Sequence, residues 1–183
     1  MKPRSIPEIE GAFLISLQEN TDSRGVLIEL FNNQIIKGIK GWEEYSPTQI
    51  NWVSSMKGSI RGIHRSKRQF PQMKIVFCTK GEIVDHLVDL RPDSKTYRNH
   101  IEIFLNESEK SCLLIPHRVG HGFQTISDES EVVYLMNRVY SSSEELTINP
   151  KDPLLGINWF EPHVLSTKDE FAPFLENIDL TLF

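Results

Sequence analysis

The sequence predicts an antiparallel β-sandwich or barrel. Short runs rich in β-branched and aromatic residues recur along its 183 residues. Turn-forming clusters such as Asp22-Ser23-Arg24-Gly25 and Arg91-Pro92-Asp93-Ser94 separate these runs, as expected of hairpin-connected strands. A hydrophobic fraction of 39% and a charged fraction of 25% are typical of a globular chain that can build a full core. We therefore expect one all-β domain over residues 1–183.

Ten strands follow from the pattern, and two short helices interrupt it. The predicted strands are Gly11–Leu17, Val26–Phe31, Gln49–Ser54, Ser59–His64, Met73–Thr79, Glu82–Leu90, His100–Leu105, Cys112–Ile115, Gly122–Ile126 and Glu131–Asn137. Asn32–Ile39 is a candidate short helix. A second helix, near the C-terminus, should begin after Ser166 as N-cap, with Asp169 three residues on, and run to about Leu175.

Charge and cysteine usage exclude several classes of protein. A net charge of -5 argues against a nucleic-acid partner or a polybasic membrane surface. A small anionic ligand remains compatible, because local arginines and lysines bind phosphate whatever the net charge. Cys78 and Cys112 lie within apolar runs, which favours buried reduced thiols over a disulfide. With no signal peptide or membrane-spanning run, we expect a cytoplasmic protein.

The residues with the clearest chemical potential are His64 and Lys74. An imidazole titrates near neutral pH and can remove a proton next to a carbonyl, while a nearby ammonium stabilises the oxyanion. Asp169 is the carboxylate that could orient the histidine, although its place three residues after Ser166 favours a role only in capping the second helix. Lys74 could instead be a surface lysine. Tyr134 could be a buried general acid or a core tyrosine bonded to the backbone.

The sequence lacks the motifs that metal-dependent, nucleophilic or phosphate-loop chemistry needs. His64 is not followed two positions later by the second histidine that a His-x-His metal pair needs. The glycines around His121 preclude a metal-binding helix shared with His117. No Gly-x-Ser-x-Gly elbow and no glycine-rich phosphate loop occurs. Acid–base chemistry without a metal or another cofactor remains.

Strand alternation adds two predictions. Asp85 and Asp89 share one face of their strand, so that face is either a wet interior or a solvated exterior. Arg61 and His64 are three residues apart and would point to opposite faces of a regular strand. If both serve one pocket, the chain must bulge near Gly62.

At these residues the chain resembles a known family, the dTDP-4-dehydrorhamnose 3,5-epimerases. The resemblance runs from about Gly11 to about Leu175, and its motifs are specific because they occur together in order. They are Asp22-Ser23-Arg24-Gly25 with Glu29 and Phe31; Gln49-Ile50-Asn51; Arg61-Gly62-Ile63-His64; Gln72-Met73-Lys74; Val88-Asp89-Leu90-Arg91; Ile115-Pro116; Gly120-His121-Gly122-Phe123; Tyr134, Tyr140 and Glu144; Asp152-Pro153; Gly156-Ile157-Asn158-Trp159; and Leu165-Ser166-Thr167-Lys168-Asp169.

The resemblance implies a jelly-roll, cupin-like β-sandwich that works as a homodimer without metal or cofactor. Such enzymes epimerise 4-keto-6-deoxyhexoses carried on a nucleoside diphosphate, at C3, C5 or both. By resemblance His64 is the base, Asp169 orients it, Lys74 stabilises the enolate and Tyr134 is the acid. Residues implied to bind the nucleotide sugar are Arg24, Glu29, Gln49, Asn51, Arg61, His121, Tyr140 and Lys168. The segment with Arg24 and Glu29 is expected to complete the neighbouring subunit's site.

The chain departs from the family pattern next to the base. Arg65 and Ser66 stand where the family commonly has an aromatic residue and a glutamine, and the loop over residues 66–71 is unusually basic. These changes predict an altered pocket rim. A mono-epimerase acting on a different nucleotide sugar (CDP- or GDP-linked, or dideoxy) is therefore an alternative. A non-catalytic sugar-nucleotide binding protein is another.

Overall fold

Two antiparallel sheets face each other in a computed structural model that describes residues 2–67 and 71–180. The strands are β1 (Lys2–Ser5), β2 (Phe13–Ser16), β3 (Glu19–Asp22), β4 (Gly25–Ile28), β5 (Gln49–Met56), β6 (Ile60–Ser66), β7 (Lys74–Lys80), β8 (Glu82–Asp89), β9 (His100–Asn106), β10 (Ser111–Ile115), β11 (Val119–Thr125), β12 (Glu129–Met136) and β13 (Glu145–Thr147). Six strands form one sheet, in the order β1-β2-β10-β7-β12-β5. Five form the other, in the order β13-β6-β11-β8-β9, and β3 and β4 form a separate hairpin. The predicted β-sandwich is confirmed.

The inner faces of the two sheets meet in an apolar core at one end of the sandwich. Val76 and Val132 from the larger sheet pack with Ile83, Leu87 and Phe123 from the smaller one. The alternation of side chains along each strand places these residues on one face. At the other end of the same faces the residues become polar, and there the cavity described below opens.

Each outer face is covered by an irregular segment. Helix α1 (Asn33–Lys37) and the residues after it, including Trp42 and Tyr45, pack on the six-stranded sheet. The C-terminal segment, with short 3-10 helices at Pro153–Leu155 and Leu175–Asn177, packs on the five-stranded sheet. Because the central strands are buried on both faces, they have almost continuous apolar runs. Among the described residues, none of the helices has the length and apolar character that crossing a bilayer requires.

The predicted bulge at Gly62 is confirmed. His64 is opposite His121 and Arg61 is opposite Phe123, so two residues of β6 face Gly122 alone. Gly62 has φ of +135°, and a Cβ there would lie 2.5 Å from the Cα of Gly122. A side chain is therefore excluded on both conformational and steric grounds.

The second helix is shorter than predicted. Helix α2 spans Thr167–Glu170, with Ser166 as its N-cap, and does not continue to Leu175. Pro173 explains the early end, because a proline disfavours helical conformation in the preceding residue. The strands β1, β3 and β13 were not predicted; each has three or four residues, too few for alternation to stand out. Residues 68–70 of the basic loop lie outside the described part of the chain.

Of the two alternatives for the carboxylates of β8, a solvated exterior and the interior of the sandwich, the interior one is correct. Asp85 and Asp89 are both fully buried, so neither faces solvent. Asp89 is bound by Arg91, Ser94 and Thr96. Burial alone would raise the pKa of Asp89, but these hydrogen bonds outweigh it and hold the pKa below its usual value. Asp89 thus anchors a turn, whereas Asp85 lies beneath the cavity.

Candidate active site

A cavity of about 370 Å³ opens between the two sheets. One wall consists of β6 and β11 of the smaller sheet, and the opposite wall consists of β5, β7 and β12 of the larger sheet. Helix α2 and strand β13 close one side. The lining residues are Asn51, Ser59, Ile60, Arg61, His64, Gln72, Lys74, His121, Phe123, Tyr134, Met136, Tyr140, Glu145, Val164, Leu165, Ser166, Lys168 and Asp169. All four predicted catalytic residues are among them.

The predicted base, His64, and its predicted orienting carboxylate, Asp169, form a tight pair. His64 Nε2 lies 2.7 Å from Asp169 Oδ1, and Ser166 Oγ donates to Asp169 Oδ2 at 3.0 Å. Burial would raise the pKa of Asp169, but the hydrogen bonds from His64 and Ser166 outweigh it, and the pKa lies below its usual value. Because an ionised carboxylate only accepts, the imidazole proton belongs on Nε2 and leaves Nδ1 as the basic nitrogen.

Asp169 makes two contacts through different groups. Its backbone N–H donates to Ser166 Oγ, the N-cap interaction, while its carboxylate holds His64. The cap is made by the Ser166 side chain, whereas the Asp169 carboxylate bonds His64 and the Ser166 hydroxyl. The single turn of α2 directs this carboxylate toward β6.

Lys74 and Tyr134 lie on the wall opposite His64. Lys74 begins β7, and Tyr134 lies on the neighbouring strand β12, paired with Val76, so both point into the sandwich. Burial lowers the pKa of Lys74, and the carboxylates of Glu145 and Asp85 oppose that effect. The cavity thus has an imidazole on one wall and an ammonium and a phenol on the other.

A second buried histidine–carboxylate pair lies at the base of the cavity. His121 Nε2 is 3.0 Å from Asp85, whose side chain is fully buried. Burial raises the pKa of Asp85, and His121 and then Lys74 act in the opposite direction. The sequence pointed to His121 by resemblance and to Asp85 by strand alternation, but it did not pair them.

Four more predicted binding residues line the cavity: Asn51, Arg61, Tyr140 and Lys168. Arg61 donates from Nε to Ser55 Oγ at 3.0 Å, which fixes its guanidinium at the mouth. The Lys168 ammonium lies 5.9 Å from the centre of the Tyr140 ring, within range of a cation–π interaction. A basic and aromatic mouth of this kind suits a phosphorylated, ring-containing ligand.

Gln49 acts from behind the cavity wall. Its side chain accepts from the backbone N–H of Tyr140 at 2.7 Å and donates to Asn51 Oδ1 at 2.9 Å. It is not one of the residues that line the cavity. Gln49 therefore holds two lining residues in place.

Arg24 and Glu29 do not reach the cavity of their own chain. Arg24 lies in the turn of the β3–β4 hairpin and pairs with Asp22, both exposed. Glu29, after β4, accepts a hydrogen bond from Asn32. In this chain the two residues do not join the other predicted site residues.

The predicted effect of Arg65 on the pocket rim is wrong. Arg65 follows His64 on β6, so its side chain points to the opposite face of the sheet, where it is buried and donates to the carbonyl of Leu90 at 2.6 Å. Ser66 Oγ accepts from the backbone N–H of Gln72. Neither residue lines the cavity.

Glu145 is the main lining residue that sequence reasoning missed. Its Oε2 lies 3.9 Å from His64 Nδ1, and its Oε1 accepts a hydrogen bond from Lys168. The family motif identified in the sequence included the adjacent Glu144, but Glu144 does not line this cavity. The register of β13 on β6, with Glu145 opposite Ser66, turns Glu145 inward. Within the described residues, no cluster of three or more His, Cys, Asp or Glu side chains is arranged to hold a metal ion.

Comparisons with known proteins agree with this geometry. The family model described as dTDP-4-dehydrorhamnose 3,5-epimerase matches residues 7–177. An enzyme of that name from Streptomyces griseus is 34% identical over 182 residues, covering 98% of this chain and 88% of the relative.

Two solved structures give the same result in three dimensions. A dTDP-6-deoxy-D-glucose-3,5-epimerase from Legionella pneumophila, in complex with dTDP-4-keto-L-rhamnose, superposes with a TM-score of 0.89 at 31% identity, covering 98% of this chain and 94% of that one. A 3'-monoepimerase from Streptomyces bikiniensis, in complex with dTDP-quinovose, gives a TM-score of 0.86 at 30% identity, covering 96% and 88%. The jelly-roll, cupin-like form of the sandwich is thereby established. By its fold, its sequence and the extent of the match, the chain belongs to the dTDP-4-dehydrorhamnose 3,5-epimerase family.

Proposed function

We propose that the protein is a cofactor-independent epimerase that inverts C3, C5 or both carbons of a nucleoside-diphosphate 4-keto-6-deoxyhexose, of the dTDP-4-keto-6-deoxyglucose type. The observation that carries the proposal is the placement of His64 and Tyr134 on opposite walls of one cavity. Inversion requires a base on one face of the sugar ring and an acid on the other, since a proton returned to its original face regenerates the substrate. The family relationship supports the same conclusion.

Proton abstraction begins at His64. The Nδ1 nitrogen takes the proton from the carbon next to the ketone, and the electrons of the C–H bond move into the enolate. Asp169, bonded to Nε2, stabilises the imidazolium that forms. A C–H group beside a ketone is a weak acid, so this step needs stabilisation of the oxyanion.

Lys74 supplies that stabilisation. Its ammonium lies on the wall opposite the base, where it can contact the ketone oxygen as negative charge develops. The partly buried setting strengthens the interaction because there is little water to screen it. Tyr134, two strand positions from the residue paired with Lys74, then delivers its hydroxyl proton to the other face of the carbon.

The nucleotide part of the substrate binds at the mouth. Arg61 and Lys168 provide positive charge for the diphosphate, and Tyr140 provides an aromatic face for a ring. Binding energy from this remote part fixes the sugar relative to the base.

Solvent exchange tests the proposal. Incubated in deuterium oxide with dTDP-4-keto-6-deoxyglucose, the wild-type enzyme should introduce deuterium at each inverted carbon, observed by proton NMR. His64→Ala should abolish that exchange. His163→Ala, which removes a histidine outside the cavity, should leave it intact. Full exchange in His64→Ala, or none in the wild type with any 4-keto nucleotide sugar, would overturn the proposal.

A mono-epimerase is the second candidate. The structural similarity to a 3'-monoepimerase at a TM-score of 0.86 supports it, because the same scaffold accommodates a single inversion. The two functions differ in the NMR experiment. A 3,5-epimerase labels both carbons, whereas a mono-epimerase labels one, and CDP- or GDP-linked substrates in the same assay identify the nucleotide.

We further propose a homodimer in which the β3–β4 hairpin completes the neighbouring site. Arg24 and Glu29 lie away from their own cavity, and Val26 and Leu27 of the same hairpin are exposed. Exposed apolar residues on a two-stranded hairpin are typical of an interface. Light scattering should give twice the chain mass. Arg24→Ala should raise KM without changing that mass, and a monomeric active protein would exclude the arrangement.

We also propose a cytoplasmic location. Cys78 and Cys112 are buried free thiols. Burial raises the pKa of Cys78 to about 11 and that of Cys112 to about 12, which keeps both protonated and unreactive. Thiols of this kind suit a reducing compartment, and fractionation of the native cells tests the location.

A further inference from the structure

We propose that Glu145 is a positioning residue that acts on His64: it stabilises the imidazolium from the Nδ1 side, and Lys168 controls how much of that stabilisation reaches the base. The inference builds on the proposed epimerase function. It assigns a second carboxylate to the base and gives the Glu145–Lys168 ion pair a catalytic purpose.

Geometry makes Glu145 a charge partner and not a hydrogen-bond partner. Its Oε2 lies 3.9 Å from His64 Nδ1, beyond hydrogen-bond length, so Nδ1 keeps its lone pair for the substrate. At the same separation the carboxylate still attracts the positive charge that appears when Nδ1 takes a proton. Its side chain is only 13% exposed, so water screens this attraction weakly.

The two carboxylates around the imidazole therefore differ in function. Asp169, at 2.7 Å from Nε2, fixes the tautomer and the ring orientation. Glu145 leaves the tautomer unchanged and acts on the energy of the protonated ring. Asp169 thus acts through a hydrogen bond, and Glu145 acts through its charge alone.

Lys168 limits this effect. It donates to Glu145 Oε1 while Oε2 faces the histidine, so one carboxylate is shared between two cationic groups. Lys168 is also a mouth residue that we assign to diphosphate binding. When a diphosphate binds Lys168, the ammonium would interact less with Glu145. The Glu145 carboxylate would then stabilise the imidazolium of His64 more strongly while substrate is bound.

Other charged groups contribute to the same field. Those that face His64 or Glu145 from neighbouring elements are Asp169 and Lys168 on α2, Lys74 on β7, His121 with Asp85 behind it, and the phenols of Tyr134 and Tyr140. All of these side chains remain in a Glu145 variant. Its loss also acts on Lys74, which belongs to the alkaline limb, so the acidic limb is the part of the pH profile that tests the effect of Glu145 on His64.

The test is Glu145→Gln, which keeps the shape of the side chain and removes the charge. We expect kcat to fall about tenfold or more, with KM changed less than threefold. The acidic limb of the pH dependence of kcat/KM should move to lower pH by about one pH unit, as expected for loss of one charge near 4 Å. Glu144→Gln is the matched control, with an adjacent carboxylate outside the cavity, and should resemble the wild type.

A second variant should shift the acidic limb of the pH profile in the opposite direction. Lys168→Met releases Glu145 from its ion pair, so the acidic limb should move to higher pH even though KM rises from lost substrate contacts. An unshifted limb in Glu145→Gln, or shifts of the same sign in both variants, would overturn the inference. A wild-type enzyme with no solvent exchange would instead overturn the proposed function. If Glu145→Gln does not fold, Lys168→Met decides alone.

Discussion

At the scale of single residues, the site depends on how the backbone turns at Gly62. The bulge there brings Arg61 and His64, three residues apart, to the same cavity. A regular strand would turn one of them to the outer face of the sheet. Gly62 therefore contributes to the position of His64, the proposed base, without carrying any functional group.

Replacement of Gly62 should be costly. Gly62→Ala adds a Cβ that would lie 2.5 Å from Gly122 Cα and 2.7 Å from the carbonyl of His121, at φ of +135°. We expect the free energy of unfolding to fall by roughly 3 kcal/mol or more, with most activity lost. Urea unfolding and the exchange assay measure the two effects.

Gly25→Ala is the matched control for Gly62→Ala. Gly25 has φ of +131°, but a Cβ there would meet nothing within 4 Å. It isolates the cost of the backbone conformation, about 1 kcal/mol. Equal destabilisation of both variants would show that the contact with Gly122 has no energetic weight.

Lys74 should set the alkaline side of the pH profile. Burial lowers its pKa, against the opposing effect of Glu145 and Asp85. The proposed stabilisation of the enolate needs protonated Lys74. Activity should therefore decline as pH rises through this lowered pKa, at a pH below the pKa of an ordinary lysine, about 10.4. Lys74→Arg should lose about 100-fold in kcat from altered geometry, and its alkaline limb should move to higher pH. An unmoved limb would mean that another group titrates there.

At the scale of elements, the single turn of α2 shows what local sequence can specify. Ser166 and Asp169 gave the N-terminus of the helix correctly, because capping is a local interaction over three residues. The predicted C-terminus at about Leu175 was wrong, because Pro173 disfavours a helical conformation at Ala172 and the helix ends at Glu170. The bond to His64, 105 residues away in sequence, has no local signal at all.

Ser166→Ala should separate the stability of α2 from its function. The variant loses the cap to the Asp169 N–H and the hydroxyl that donates to the Asp169 carboxylate. We expect the free energy of unfolding to fall by about 1 kcal/mol and kcat to fall roughly tenfold, as Asp169 loses one of its restraints. Thr167→Ala, at the next position on the surface, should change neither. Unchanged kcat in Ser166→Ala would show that His64 alone orients Asp169.

At the scale of the whole molecule, the C-terminal segment holds the site together. Residues 148–180 cross the outer face of the five-stranded sheet and return Asp169 to the cavity. Gln124 fixes the path by two hydrogen bonds to Phe160, and Ile60 N–H donates to Val164 O. Trp159 packs edge-on against His86, with ring centres 4.4 Å apart. His64 is on the sheet and Asp169 is on this segment, so their pairing depends on the packing between the two.

The buried His86 makes this packing sensitive to acid. Burial first, then His100 and His121, lower the pKa of His86 to about 3, whereas in the unfolded chain it lies near 6.5. The unfolded chain therefore binds a proton that the folded one does not. Above pH 6.5 His86 is neutral in both states and does not reduce the free energy of unfolding. As pH falls from 6.5 toward 3, protonation of His86 in the unfolded chain lowers the free energy of unfolding progressively.

Urea unfolding at two pH values measures this contribution. The wild type should lose roughly 1–2 kcal/mol of its free energy of unfolding from His86 between pH 7 and pH 5. His86→Phe should lose less over the same interval, whatever its stability at pH 7. His163→Phe, at an exposed histidine, should keep the wild-type dependence. Equal pH dependence in His86→Phe and the wild type would contradict the assignment.

Sequence patterns were enough to predict the β-sandwich, most of its strands, the N-terminus of α2 and the bulge at Gly62. Motifs in order along the chain also pointed to the four residues proposed for catalysis. These depend on alternation, turn chemistry and spacing, which act over a few residues. The folded structure was needed to show that Glu145 and not Glu144 lines the cavity, that Arg65 points away from it, and that His64 and Tyr134 lie on opposite walls. Those outcomes depend on strand register and on which sheets pack together, and both are set by contacts between residues far apart in the chain.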